Sequence, residues 1–141
     1  MRKYKAAKRI AILLVLTILM SMTVMAAPRR ASRYLSSYMG SLAVKDNGDL
    51  SIYFRVTAPR VLDQLGVATI YIQRDIGYWT TEIRLMYPEY EQMQGTDVGY
   101  YTTMFDYTPE HPGDTYRAIF VFYGEDSDGS DTGRYVSNSV S

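Results

Sequence analysis

Apolar and polar residues alternate with a period of two along most of this chain, which predicts β-strands. The clearest case is residues 50–57, where every second residue is apolar: Leu50, Ile52, Phe54 and Val56. Such alternation is typical of a strand with one face in the core and one in solvent. The preceding Asn47-Gly48 pair predicts a hairpin turn, because both central positions of such a turn need positive φ. Pro59 is expected to end the strand, because proline donates no hydrogen bond to a sheet.

Other segments share the strand pattern or are rich in β-branched and aromatic residues: 36–45, 67–74, 78–87, 100–107, 115–123 and 134–140. Residues 60–66 are predicted to form a short helical turn, and 88–99 and 124–133 are predicted to be loops. Short strands separated by turn signals every 8–12 residues or so, without long helices between them, indicate an antiparallel sandwich or barrel. We therefore predict an all-β domain of about seven strands.

The stretch from Gly113 to Ala118 narrows the fold class. Tyr116 follows a corner and opens a strand, as does the tyrosine corner of immunoglobulin-type sandwiches, where the hydroxyl bonds back to the main chain. The chain has no cysteine, and Trp79 comes too late to be the core tryptophan of the third strand. We therefore predict an immunoglobulin-like sandwich of the fibronectin kind rather than a true immunoglobulin domain.

The N-terminal residues have a pattern of their own. Residues 2–9 hold five positive charges and no negative one, residues 10–25 are apolar apart from Thr and Ser, and small residues follow. A basic end, a short apolar core and a small-residue exit predict a secretory signal that is cleaved after Ala26. The alternative is an uncleaved anchor. The arginines at 29, 30 and 33 would then lie on the far side of the membrane, against the positive-inside preference.

The predicted organisation is a signal peptide at 1–26, a flexible leader at 27–35 and the sandwich at 36–141, which makes the protein secreted and extracellular. Cleavage changes the charge. All 15 acidic residues but only ten of the 15 basic ones lie in residues 27–141, so the exported part has a net charge of −5. An acidic chain does not suit the phosphates of nucleic acids or an anionic membrane surface. Without cysteine, the domain is held together by packing alone.

Three stretches of the exported part resemble a known family: RASRYLSSY at 30–38, Thr69-Ile70-Tyr71-Ile72, and TYRAIFVFYGEDSDGSDT at 115–132. The family is an uncharacterised group of small secreted proteins from Gram-positive gut bacteria that share a domain of unknown function. The resemblance covers nearly all of the exported chain and rests on strand and turn patterns. It implies an extracellular location, and it carries no catalytic residue over to this sequence.

Aromatic residues are the candidates for binding chemistry. The exported part has 13 tyrosines and one tryptophan. Six of these rings lie near the middle strands and the 88–99 connection: Tyr78, Trp79, Tyr87, Tyr90, Tyr100 and Tyr101. Four of the six are the candidates: Tyr78, Trp79, Tyr90 and Tyr100. Exposed rings of this kind can stack on sugars or bury the surface of a protein partner. The alternative is that tyrosine is simply a good strand former whose ring covers the sheet. We predict these four as ligand-binding residues, with an unknown extracellular protein or glycan as the partner.

The acidic loop holds the candidates for ion binding, Asp126, Asp128 and Asp131. Calcium prefers clustered carboxylate oxygens, but the spacing does not match an EF-hand, and Asp and Gly are also ordinary turn residues. The lone His111 is predicted to be a turn residue, because no cysteine or second histidine accompanies it. We predict no metal and no cofactor.

No catalytic motif stands out. Nothing holds Glu82, Glu89 or Glu91 as the fixed carboxylate pair that glycosidases need, and the chain has no nucleophile elbow or phosphate loop. The sequence therefore predicts a non-enzymatic secreted protein that acts as a binding or adhesion module. The first alternative is a structural or self-associating surface protein that assembles through edge strands. A small hydrolase is the second alternative.

Overall fold

The computed structural model describes residues 32–141, which form an antiparallel sheet of six strands. These are β1 (Ser37–Val44), β2 (Leu50–Asp75), β3 (Trp79–Met86), β4 (Gln94–Tyr107), β5 (Tyr116–Asp126) and β6 (Gly129–Val136). A single 3₁₀ turn, Glu91–Met93, precedes β4. Within this part of the chain, no helix is long and apolar enough to cross a membrane. The prediction of an all-β, antiparallel domain is confirmed.

The predicted signal peptide, 1–26, and residues 27–31 of the predicted leader lie outside the described residues. The rest of the leader contacts the domain. Leu35 is buried in the core, and the Ser32 hydroxyl donates a hydrogen bond to Asp131 at 2.6 Å.

Strand β2 organises the sheet because its 26 residues belong to both halves. Its first half, 50–57, pairs with β1 on one side and with the end of β4 on the other. Its second half pairs with β5, with β3 and with the start of β4. The register with β4 is interrupted between Thr57 and Leu62. Pro59 lies in that interruption, where a missing N–H costs the sheet no hydrogen bond.

The sequence-based boundaries around Pro59 are therefore wrong. The strand passes through the proline, and residues 60–66 are strand rather than a helical turn. The predicted strands 50–57 and 67–74 are the two halves of β2, which is why the described residues form six strands and not seven.

The core lies between the two halves of the bent sheet. Phe54, in the first half of β2, packs against Phe120 and Phe122 of β5 with ring centroids 6.3 and 6.0 Å apart. Tyr38 of β1 covers Phe122 at 4.9 Å. The other fully buried large side chains are Leu50, Ile52, Leu62, Leu65, Ile70, Ile72, Leu85, Met93 and Tyr116. Alternate residues of each strand point into this core, as the period of two requires.

The turns are shorter than the sequence suggests. A turn at Asn47-Gly48 joins β1 to β2, but of these two residues only Gly48, at φ +86°, has a positive φ, so the predicted turn with positive φ at both positions is wrong. The Asn47 Oδ1 accepts the Asp49 N–H at 3.1 Å. The predicted loops at 88–99 and 124–133 are wrong in extent. Gln94 already begins β4, and only Ser127 and Asp128 separate β5 from β6. The predicted last strand also starts earlier than residue 134, at Gly129, and ends at Val136.

Candidate functional site

A groove with a volume of about 380 Å³ opens on the second half of the sheet. We call it the tyrosine groove, and it is lined by Gln64, Ala68, Tyr87, Gln94, Tyr123 and Glu125. The residues between them along the strands, such as Leu65, Val67 and Phe122, are buried in the core. The groove therefore lies on the face of the sheet that is turned away from the core.

The strand register places the walls of the groove. Across β2 and β5, Gln64 pairs with Glu125 and Gly66 pairs with Tyr123. On the other side of β2, Gly66 pairs with Gln94 at the start of β4. Tyr87, directly after β3, donates its main-chain N–H to the Ala68 carbonyl at 3.1 Å. Gln64 and Ala68 of β2 thus contribute to the floor, and the main chain at Met93 and Gln94 lies over Gly66 between them.

Gly66 is what lets the 3₁₀ turn cross closely over β2. A Cβ atom at Gly66 would lie 2.2 Å from the Met93 carbonyl oxygen, so no larger residue fits without moving the main chain. Met93 itself is fully buried. The side-chain amide of Gln94, the next residue, donates a hydrogen bond to the main-chain carbonyl of Val67 at 3.3 Å. The groove wall on the β4 side is therefore fixed by a main-chain contact that only glycine permits.

Hydrogen-bond acceptors dominate the polar part of the groove. The Gln64 Oε1 atom is buried and has no hydrogen-bond partner. The Tyr123 hydroxyl donates to Oε2 of Glu125. This bond, with a contribution from burial, raises the pKa of Tyr123 above its ordinary value. No lining residue is basic, and none is a Ser, Cys or His that could act as a nucleophile or general base. The arrangement is suited to binding a ligand that brings its own donors.

The structure places the four predicted binding residues in four different surroundings. Tyr78 is 68% exposed beside the β2–β3 turn, and the Arg117 guanidinium lies over the Trp79 ring at 4.3 Å. Tyr90 packs against the core and stacks on Phe105 at 6.4 Å. Tyr100 is 53% exposed and lines a second groove of about 260 Å³ between β1 and β4. None of the four lines the tyrosine groove.

The sequence prediction missed Tyr123 of the groove, which reads as the last residue of a central strand. Tyr87 was counted among the aromatic residues near the middle strands but not among the four binding candidates. The signal that points to both is Gly66, because a glycine inside a strand pattern marks a close approach of another main chain. The predicted helical turn at 60–66 instead ended at Gly66.

A second polar cluster lies under the corner before β5, and it contains the predicted tyrosine-corner bond. Tyr116 is 1% exposed, and its hydroxyl accepts the His111 main-chain N–H at 3.2 Å. The same hydroxyl donates to Oε1 of Glu82 at 2.7 Å. On the other oxygen, Oε2, Glu82 accepts the Tyr107 hydroxyl at 2.7 Å and the Glu110 N–H at 3.3 Å. Burial and the bond to Glu82 raise the pKa of Tyr116 to about 12 and that of Tyr107 further.

This cluster also holds the candidate metal ligands of the described part of the chain. One ligand atom each from Glu82, Glu110 and His111 lies within 4.8 Å of the other two. Both oxygens of Glu82 already accept tyrosine hydroxyls, which ties this carboxylate to the corner. The cluster therefore fits a structural role better than a metal centre.

The predicted calcium candidates form no such group among residues 32–141. Asp126 accepts two hydrogen bonds from the Arg60 guanidinium, at 2.6 and 3.1 Å, and this contact lowers its pKa. The Asp131 carboxylate accepts one hydrogen bond from the Ser32 hydroxyl and one from the main-chain N–H of Thr132. The Asp128 main-chain N–H donates a hydrogen bond to Oδ1 of Asp126 at 2.8 Å, as in an ordinary turn.

Comparison with protein-family models, with curated proteins and with solved structures finds no match to this chain.

Proposed function

We propose that this protein is a secreted, non-enzymatic binding module that holds its ligand in the tyrosine groove. The observation that carries the proposal is the Gln64 Oε1 atom, a buried acceptor without a donor beside the rings of the groove. Buried polar atoms are almost always hydrogen-bonded, and an exception is a reason to look for a missing partner. A ligand with a donor at this position would supply it.

The fold is suited to this role. We propose that the domain is an immunoglobulin-like sandwich of the fibronectin kind. Two features support this assignment: the two halves of the sheet pack face to face through Phe54 and Phe120, and Tyr116 makes a tyrosine-corner bond. A rigid sandwich of this class can carry a binding site on its sheet, and the site rather than the fold decides the function. The signal-like N-terminus and the acidic charge of residues 27–141 support a location outside the cell.

The alternative is a structural protein that associates with copies of itself. Among the described residues, β1 and β6 end the main strand order of the sheet, so each has an unpaired edge. Met104, which is 69% exposed, lies on the outer face of β4 near Tyr100. Free edges and exposed apolar side chains favour association between chains. Light scattering over a range of protein concentrations separates the two proposals, since a binding module stays monomeric.

The test of the binding proposal is a screen of the exported protein against glycans and host-surface proteins. Any ligand found is then measured against Tyr87→Ala and against the control Tyr78→Ala, which removes an exposed ring outside the tyrosine groove. Tyr87 also packs against the core, so circular dichroism must first show that Tyr87→Ala is folded. We expect the folded Tyr87→Ala to lose most of the affinity and Tyr78→Ala to retain it. If Tyr78→Ala loses affinity while Tyr87→Ala binds fully, the ligand lies elsewhere and the proposed site is refuted.

A further inference from the structure

We propose that the tyrosine groove takes the guanidinium group of an arginine side chain, presented by an extended segment of a partner protein. This inference rests on the proposed function and adds the chemical class of the ligand. It starts from two acceptor groups that line the groove: the Gln64 Oε1 atom, which is buried without a partner, and the Glu125 carboxylate, whose Oε2 atom accepts the Tyr123 hydroxyl. A ligand that fits there must bring donors. Arginine is the side chain with five donors and no acceptor.

The charge of the groove favours a cation over a neutral donor. Glu125 is its only charged lining residue, and no lining residue is basic. The described chain as a whole carries 15 acidic and eight basic residues. Arg60, four residues before Gln64 in β2, is already held by Asp126 and by the Arg33 carbonyl. A ligand cation therefore enters a site whose negative charge has no basic residue within the groove to balance it.

The aromatic walls distinguish a guanidinium from an ammonium group. A planar guanidinium stacks on an aromatic face and bonds a carboxylate at the same time, whereas an ammonium is a compact, strongly hydrated point charge. This chain already makes such contacts within itself. Arg117 lies over Trp79 at 4.3 Å, and Arg60 lies over Tyr34 at 5.1 Å. Tyr87 and Tyr123 offer rings of the same kind beside Glu125.

The sheet at the groove leaves no edge for strand addition. At Gly66, β2 is paired on both sides, with β4 at Gln94 and with β5 at Tyr123. A partner segment therefore cannot bond to the main chain of β2 and must be recognised through its side chains. The main chain at Met93 and Gln94 lies over Gly66, so the segment lies beside this crossing rather than along the whole row from Gln64 to Ala68. One arginine of the segment reaches both Gln64 and Glu125, because these two residues are paired across β2 and β5.

The test uses short blocked peptides with one central arginine and calorimetric titration into the exported protein. The same peptide with lysine, and with citrulline as the uncharged isostere, are the matched probes. We expect the arginine peptide to bind most tightly, lysine less and citrulline least, and we expect binding to weaken as salt is added. Glu125→Gln should lower the affinity for the arginine peptide by about ten-fold or more, because a charge-assisted bond is lost. Asp63→Asn, an exposed acidic residue of β2 outside the groove, is the control for charge at a distance.

A second variant keeps the proposal testable if Glu125→Gln disturbs the sheet. Tyr123→Phe keeps the ring but releases the Glu125 carboxylate, so affinity for the arginine peptide should be held or raised. Equal binding of the arginine and citrulline peptides would overturn the cation assignment and leave the groove as a binding site for neutral ligands, glycans included. Absence of arginine-peptide binding at millimolar concentration also overturns it. If amide shifts in nuclear magnetic resonance place a bound ligand around Tyr100 instead, the proposed function itself fails.

Discussion

The side-chain amide of Asn138 bonds both main-chain groups of Leu42, 96 positions earlier in the chain. Its Oδ1 accepts the Leu42 N–H at 3.2 Å, and its Nδ2 donates to the Leu42 carbonyl at 3.0 Å. Leu42 lies in β1, whose only strand partner among the described residues is β2. The preceding residue, Ser137, donates its N–H to the Ala118 carbonyl of β5 and accepts the Ala118 N–H with its hydroxyl. The segment after β6 thus covers part of the free edge of β1 and ties it to β5.

The first prediction follows from this covered edge. Asn138→Ala leaves the Leu42 N–H and carbonyl without partners, so we expect a loss of about 0.5–1.5 kcal/mol in the free energy of unfolding. An uncovered edge also invites pairing with a second chain. Light scattering should therefore detect dimers of the variant at concentrations where the parent is monomeric. Ser139→Ala, an exposed neighbour, is the control. A variant that stays monomeric would count against the self-association alternative.

The second prediction concerns the tyrosine corner. Tyr116→Phe removes a donor to Glu82 and the acceptor of the His111 N–H, both at a fully buried site. We expect a cost of about 1–3 kcal/mol in urea denaturation, because bonds to charged groups and buried partners are the expensive ones to lose. Tyr78→Phe, at an exposed ring, should change stability by less than about 0.5 kcal/mol. Equal effects at the two positions would show that the corner bond does not hold the fold together.

Tyr116 also shows which contacts could be predicted from the sequence and which could not. The corner and its bond could be predicted because the partner, His111, lies five residues upstream in the same local motif. The role of Glu82 could not, since it sits in β3 and meets Tyr107 and Tyr116 only through the sheet. Likewise, alternation revealed strand 50–57, but the continuation of β2 past Pro59 depends on its pairing with β4 and β5. Pairing between strands that are distant in the chain leaves no local sequence pattern. The tyrosine groove depends on such pairing, of β2 with β4 and with β5, so its place could not be predicted.

The third prediction is a loss of stability at alkaline pH. The fold raises the pKa of Tyr116 from the ordinary 10.0 to about 12, so it favours the neutral phenol. The contribution of this group is therefore complete below pH 10 and is lost as the pH rises from about 10 to about 12. Tyr107, which shares Glu82 and has a raised pKa, acts in the same direction. Denaturation midpoints should fall across this interval, less steeply in Tyr116→Phe. Phenolate absorbance should show Tyr107 and Tyr116 ionising at higher pH than the exposed tyrosines, and their ionising together with the exposed ones would contradict the prediction.

The fourth prediction tests the packing between the halves of the sheet. A Cβ atom at Gly40 of β1 would lie 2.3 Å from the Phe120 ring, which is itself held between Phe54 and Phe122. A rigid ring in a filled core has nowhere to move, so Gly40→Ala should cost about 1–3 kcal/mol by overpacking. Gly40→Ala combined with Phe120→Leu should recover part of the loss if the clash is the cause. Full stability of the single variant would mean that β1 can shift away from β5.

The last prediction separates two tyrosines that the sequence placed on one binding face. Tyr90 packs against the core and stacks on Phe105 with an angle of 24° between the rings, so Tyr90→Ala should cost about 1–3 kcal/mol. Tyr100 is half exposed, and Tyr100→Ala should cost less than about 1 kcal/mol. Chemical denaturation of each single variant measures the difference. Because Tyr100 lines the groove between β1 and β4, its variant should also keep full affinity for a ligand of the tyrosine groove. Loss of that binding in a stably folded Tyr100→Ala would move the ligand site to the β1–β4 groove.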